Sequence, residues 1–376
     1  MTGQLLSADL AKVLTARIDA LPPAARNLLR EVSVVGDVIP EAALEFLEPG
    51  ATGALDELLS RRMLRRRTHG GYRFVTPLMA EAAYAALGKA DLADRHARLA
   101  RWAATTDALN PPQADEFTIS HATKAVSLAR DMRLPASSTA FSVIDAGVAA
   151  FGRSAHRAME SGEPDNALAL LDRSAELQRL SYQDRLVRCR AMLRLGRSSD
   201  ALGDLDDLAG VLGLSLPLDL SSDTPDQPIA PSAAAQTLML AGRAFRALGE
   251  PDRAVGAWQR SWAVAHEANL PVEQADVLCR LGMIDYLSGR LRRAEEKFRT
   301  GLEVATGAEN KRTQAWALQH LAWVSVSLGD FAGADDALGQ AARLFAAQND
   351  RMGRAWVRSS AAFTRLLAGR LREAQR

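Results

Sequence analysis

Six histidines, two cysteines, six tryptophans and a run of arginines are the residues of this 376-residue chain best suited to chemistry. The histidines are His69, His96, His121, His156, His266 and His320, and none lies within five residues of another histidine or of a cysteine. Metal sites assembled from neighbouring ligands need closer spacing, so a locally built zinc site is excluded and no cofactor is expected. Cys189 and Cys279 are far apart, each within a helical pattern. A disulfide scaffold is not expected, and a reducing, cytoplasmic setting fits better. A phosphate-binding loop needs Gly-x-x-x-x-Gly-Lys before Ser or Thr. Here Gly88-Lys89 is followed by Ala90 and lacks the upstream glycine. There is no Gly-x-Gly-x-x-Gly run and no nucleophile elbow. Adjacent acids such as Asp206-Asp207 and Asp335-Asp336 read as solvated helix positions rather than catalytic pairs. No enzyme activity is expected, and the chemistry left is that of binding.

Two patterns offer binding. Trp262, Trp316 and Trp356 are candidates for the inner face, Trp316 and Trp356 one 40-residue period apart and Trp262 54 residues before Trp316, and spaced aromatics on a concave surface anchor a peptide or helix. Trp258 takes a packing position instead. The second pattern is the basic run Arg61, Arg62, Arg65, Arg66 and Arg67. On one reading Arg65, Arg66 and Arg67 contact backbone phosphates. On the other they are a charged strand edge that discourages sheet pairing, or a salt-bridge face. The whole chain gives no global pull toward nucleic acid or anionic membrane, because 46 basic and 45 acidic residues leave a net charge of +1. The N-terminus lacks a signal-peptide pattern, and no apolar window approaches the length of a membrane span. Association with a membrane is not expected.

The elements that position these residues are mostly helices. Aromatics are only 5% of the chain and Ala and Leu abound, which favours close-packed helices over a large sheet. Leu10 to Ala20 predicts a short helix. Pro22-Pro23 opens a second with Leu28, Leu29 and Val32 on one side, and Gly36-Asp37 breaks it. Pro40 opens a third, Pro49-Gly50 stops it, and Leu55, Leu58 and Leu59 mark a fourth. The pattern then changes. Met63 to Arg67 and Tyr72 to Val75, around Gly70-Gly71, predict a β-hairpin. Helices followed by a hairpin suggest a winged-helix-like domain over residues 9–88. If it read DNA, the helix before the hairpin would be the reader, and its exposed face is poor in base-reading side chains.

Residues 91–376 carry a recurring turn. Gly249, Gly289, Gly329 and Gly369 step by 40 residues, each followed five positions later by Ala254, Ala294, Ala334 and Ala374. Looser copies begin at Gly162 and Gly196. A constant period of this size marks a helical solenoid. The glycine ends a first helix, and the alanine lets a second approach closely. A Pro- and Ser-rich stretch at about 212–232 reads as a loop insertion, and it widens the step from Gly196 to Gly249. Arg376 falls just inside the second helix of a repeat. That predicts either a fragment or a product whose last helix is exposed.

Leu278, Leu281-Gly282, Ala294 and Phe298, with Leu238, Gly242, Phe245, Ala254 and Trp258, resemble the tetratricopeptide repeat family. A third copy has Ala322 in place of the glycine, and Asp285 stands where the family has an aromatic. The resemblance implies an α-α superhelix. Leu21 to Gly36, Tyr72 to Tyr84 and Arg95-His96 resemble a more specific region. It is the winged-helix and helical-repeat region of bacterial ATPase-containing adenylate or guanylate cyclases and of large LuxR- or MalT-type regulators. Thr76 stands where that family commonly has histidine, and the ATPase core and effector domains are absent from this sequence. The resemblance implies a sensor or scaffold arm, with a protein, a peptide or a small inducer in the repeat groove. A transcriptional regulator using the winged helix on DNA is the alternative.

Overall fold

Prolines and glycines punctuate the start of the chain. The computed structural model describes residues 8–68, 70–214 and 230–374, in two units, Met1–Leu180 and Ser181–Arg376. In the first unit α1 (Ala8–Asp19) gives way at Pro22 to α2 (Pro23–Val35), which buries Leu28, Leu29 and Val32. Next come β1 (Val38–Ile39), α3 (Glu41–Leu47), α4 (Thr52–Ser60), β2 (Leu64–Arg66) and β3 (Tyr72–Phe74). The strands form one antiparallel sheet in the order β1-β3-β2, with Val38 opposite Arg73 and Leu64 opposite Phe74. The expected hairpin is β2–β3. The strand β1 was not anticipated, because two residues are too few to show an alternating pattern. The sheet packs Ile39, Leu64 and Phe74 with Leu28, Leu58, Met79 and Ala83, the last two from α5 (Pro77–Ala85).

This core continues through Leu92 and Leu99 into α6 (Lys89–Thr105). There α6 pairs with α7 (Pro111–Asp131) along a seam of Ala93, Ala97 and Ala100 against Ala122, Ala125 and Ala129. Side chains this small let two helix backbones come close. A second pair, α8 (Ile144–Glu160) and α9 (Pro164–Leu177), completes the unit.

The second unit is a stack of helix hairpins. They are α10 (Tyr182–Arg194) with α11 (Ser198–Val211), α12 (Pro231–Ala247) with α13 (Pro251–Glu267), and α14 (Pro271–Leu287) with α15 (Leu291–Gly307). Then follow α16 (Lys311–Ser327) with α17 (Phe331–Ala347), and α18 (Arg351–Leu367) with the short α19 (Leu371–Ala374). Each helix from α12 to α18 has 17 residues, so two helices and two three-residue turns account for the 40-residue period. Of the expected insertion at 212–232, residues 215–229 lie outside the described residues.

The turns repeat atom for atom. Gly249, Gly289 and Gly329 adopt φ of 81°, 72° and 82°. The next N–H in each turn donates back to the first helix, Glu250 to Phe245, Arg290 to Asp285 and Asp330 to Ser325, all at 2.9 Å. This is a left-handed cap that satisfies a terminal carbonyl.

Packing within a hairpin is a matter of matched sizes. A Cβ on Gly242 would lie 2.4 Å from the Trp258 indole nitrogen, and one on Gly282 would lie 2.7 Å from the Phe298 ring. In the next hairpin the equivalent pair is Ala322 and the smaller Leu338, both buried in one cluster. Each first helix also packs on the first helices beside it, α10 on α12, then α14, α16 and α18. The second helices make no comparable contact with one another among the described residues. The second unit therefore curves with its first helices on the inner side.

Candidate functional site

The residue six positions before each helix-ending glycine follows the position held by Gly242, Gly282 and Ala322, which meet the second helix, and by Cys189 and Ala362 in the first and last hairpins. In α10, α12, α14, α16 and α18 that residue is Arg190, Arg243, Met283, Trp323 and Phe363. At the α14–α18 end the inner face holds a groove of about 240 Å³, lined by Tyr286, Trp323, Val326, Trp356, Ser360 and Phe363. The Trp323 indole N–H donates to the Ser360 hydroxyl at 3.1 Å, and the Tyr286 ring lies 6.1 Å from that of Trp323. Trp356 is 50% and Phe363 57% exposed. One wall is thus pinned by a hydrogen bond while the other presents apolar rings to solvent.

Behind Trp323 sits His320, 5.3 Å from it ring to ring, 5.0 Å from Phe298 and 6.1 Å from Trp316. Burial, and then the Arg280 charge, push its pKa down to about 3. It is a neutral aromatic spacer at physiological pH.

Trp316 and Trp356 are one period apart and occupy equivalent positions on α16 and α18. Trp356 lines the groove, whereas Trp316 is half-buried in a T-shaped contact with Phe345, ring centroids 5.2 Å apart. Trp262 lies on α13, a second helix, stacked on His266 at 4.7 Å and 36% exposed. Sequence spacing alone did not single out Tyr286, Trp323 or Phe363. The signal that finds them is their distance from the repeat glycine.

In the first unit Arg65 and Arg66 lie on β2, with Arg67 just after it, and all three are exposed. Arg66 covers the Tyr72 ring at 5.3 Å. The neighbouring Arg61 pairs with Glu57, and Arg73 with Asp37. The helix before the hairpin, α4, carries Asp56 and Glu57 and no basic residue.

A second polar cluster lies where α5, α6 and α7 meet. The Nδ1 atoms of His96 and His121 are 2.8 Å apart, and the Tyr84 hydroxyl is 3.0 Å from His96 Nε2. His121 also bonds to the Val35 backbone. Since a carbonyl only accepts, His121 donates there and its Nδ1 must accept from His96. Tyr84 then donates to His96, giving one directed chain from Tyr84 to Val35. Burial first, then the His121 and Lys124 charges, lower the His96 pKa to about 3. Burial lowers that of His121 to about 4, against the opposing pull of the Val35 bond.

None of these groups is poised for acid–base or nucleophilic work near neutral pH. Burial pushes both the Cys189 and Cys279 thiols up to about 12. Among the described residues no three His, Cys, Asp or Glu side chains are placed to hold a metal ion. No described helix is long and apolar enough to cross a membrane. The second unit is a repeat scaffold whose chemistry is that of surface contact.

No protein-family profile matches the sequence, and no curated protein matches it. Several solved structures are similar in part. One is a Signal Transduction ATPase with Numerous Domains from Pyrococcus horikoshii that has a tetratricopeptide repeat sensor. It is 12% identical over 99% of this chain and 65% of its own, with a TM-score of 0.43, so this chain spans about two-thirds of its length. A thermophilic tetratricopeptide repeat protein of Thermus thermophilus is 19% identical over 57% of this chain and 98% of its own, with a TM-score of 0.41. The apo form of RapI is 10% identical over 59% and 76%, with a TM-score of 0.44. None is similar enough for its function to pass to this chain.

Proposed function

We propose that the inner face of the second unit receives a segment of a partner protein, and that the chain is the sensor or scaffold arm of a bacterial signalling or transcription-regulating assembly. The observation that carries the first half is the groove between Tyr286, Trp323, Trp356 and Phe363, with two rings half-exposed. Isolated apolar side chains on a surface need no explanation, but convergent rings in a concave site do. At about 240 Å³ the groove is smaller than the roughly 300–1,000 Å³ of small-molecule pockets. It suits one or two side chains of a longer segment better than a small inducer. The second half rests on the resemblance carried by residues 21–36 and 72–84. On this reading residues 9–88 are a winged-helix module for packing, and residues 91–376 are the repeat arm.

The test is affinity capture from the host's own extract with the wild-type chain and with Trp323→Ala and Phe363→Ala variants of unchanged melting temperature. A protein held by the wild type and lost by both variants supports the reading. Capture that all three share equally defeats it.

The alternative, a regulator that uses residues 9–88 on DNA, is favoured by one observation, the three exposed side chains Arg65, Arg66 and Arg67. Against it, α4 would bring Asp56 and Glu57 toward phosphates. The expected outcome is that replacing Arg65, Arg66 and Arg67 together with Gln leaves duplex DNA retention unchanged in a gel-shift titration at low salt. Salt-sensitive binding that the triple variant abolishes would establish the alternative.

A further inference from the structure

The inner face changes character along its length. Six residues before the helix-ending glycines the row reads Arg190, Arg243, Met283, Trp323, Phe363, and thirteen before them Gln183, Gln236, Asp276, Trp316, Trp356. Both rows run from polar to aromatic, and both change around α14. Arg280, also on α14, belongs to the polar half.

That half is short of partners. Arg190 donates to the Gln236 side-chain oxygen at 2.6 Å, and the Gln236 amide is itself bound to Glu273 at 3.0 Å. Arg243 and Arg280 are half-buried, and among the described residues neither has an ion pair or a side-chain hydrogen bond. The Arg280 Nε is fully buried without a partner. Burial first, then the Arg280 charge, push the Arg243 pKa down to about 10, and Asp276 offsets this only in part. The Arg243 guanidinium stays charged at neutral pH. Half-buried cations that repel one another cost stability unless something pairs with them, and a guanidinium fork suits a carboxylate.

We propose that the partner segment is bipartite, with an acidic stretch that pairs with Arg190, Arg243 and Arg280 and an apolar side chain seated among Trp323, Trp356 and Phe363. This rests on the groove reading above and adds the chemistry of its occupant. Successive first helices stand roughly 10 Å apart, so α12 to α16 is roughly 20 Å, about six residues of extended chain. The acidic and apolar parts should be separated accordingly. A single-stranded nucleic acid also offers anions and flat rings, but it sets a phosphate beside every base. It would need cations and aromatics interleaved, and here they sit at opposite ends of the face.

The test is selection of random displayed dodecapeptides on the full chain, followed by fluorescence anisotropy with the enriched peptide. Winners should carry Asp or Glu about six residues from a large apolar residue. Arg243→Gln with Arg280→Gln should weaken binding about tenfold or more and melt no lower than the wild type, since unpaired charges are removed. Trp323→Ala and Phe363→Ala should abolish the apolar preference and keep the acidic one. Independently of any variant, binding to the wild type should weaken as sodium chloride rises. Acid-free winners that still need Trp323 and Phe363 would overturn the bipartite inference and leave the groove reading standing. No winner, or winners indifferent to both pairs of variants, would overturn both. Oligo(dT) that binds through the same arginines and displaces the peptide would make the occupant a nucleic acid and overturn the proposal.

Discussion

His96 and His121 touch nitrogen to nitrogen inside the first unit, and the contact holds only while His121 Nδ1 is free of a proton and can accept. Their folded pKa values of about 3 and about 4 lie below the ordinary 6.5 of imidazole, as does the value of about 3 for His320 in the second unit. The unfolded chain therefore binds more protons between those limits. Stability is complete above pH 6.5 and is lost as pH falls toward 4 and then 3, by up to about 1.4 kcal/mol per pH unit for each histidine. Urea denaturation at pH 7 and pH 5 should show the loss, and His96→Gln with His121→Gln should make it shallower. Equal midpoints at the two pH values would refute this account. A smaller effect belongs to Glu309, whose φ of 54° matches the 51° and 53° of Asn269 and Asn349 at equivalent turns. Asparagine tolerates that conformation better than glutamate. Glu309→Gly should raise stability by about 0.5–1 kcal/mol in the same measurement, and a lowered midpoint would show that the turn is unstrained.

Between elements, size complementarity is the controlling term. The pairs Gly242 with Trp258 and Gly282 with Phe298 leave no room for a methyl group, whereas Ala322 is accommodated beside Leu338. Gly242→Ala should cost about 1–3 kcal/mol, read as a lower melting temperature. No change would mean that the indole, held by the Met239 carbonyl at 3.0 Å, moves aside freely. This level of organisation was legible in the sequence, because a helix-ending glycine and an alanine five residues later recur at fixed spacing. The hairpin of β2 and β3 was legible for a similar reason, since Gly70-Gly71 separates two short segments in which the helical pattern stops. The strand β1 was not, and neither was the cationic half of the inner face. An arginine on a helix reads as a solvated side chain until its register against the repeat glycine is known. Asp285 was visible as a departure from the family pattern, but its reason is tertiary. Burial disfavours its charge, and hydrogen bonds from Lys297 and Arg290, the latter at 2.7 Å, outweigh that and hold the carboxyl below its usual range.

Across the whole molecule, stability should follow position in the stack. Inner hairpins are packed from both sides, while α18 leaves Met352, Trp356, Phe363, Leu366 and Leu367 exposed. Hydrogen exchange should find the amides of α18 opening well before those of α14 and α16. Uniform protection across the second unit would mean that it unfolds as one cooperative body. The equal length of the helices from α12 to α18 has a consequence for how such a chain can change over generations. A segment cut from one turn glycine to the next is a whole number of codons and a whole number of structural units, so its loss or duplication rejoins two ends of identical geometry. Removing the residues from Gly249 to the one before Gly289 would splice Phe245 and Leu248 onto the turn that now begins α15, and would shorten the path from Arg243 to Trp323 without altering either side chain. For this chain the distance between two recognised groups on a partner is therefore a heritable quantity that gene rearrangement can adjust in single steps.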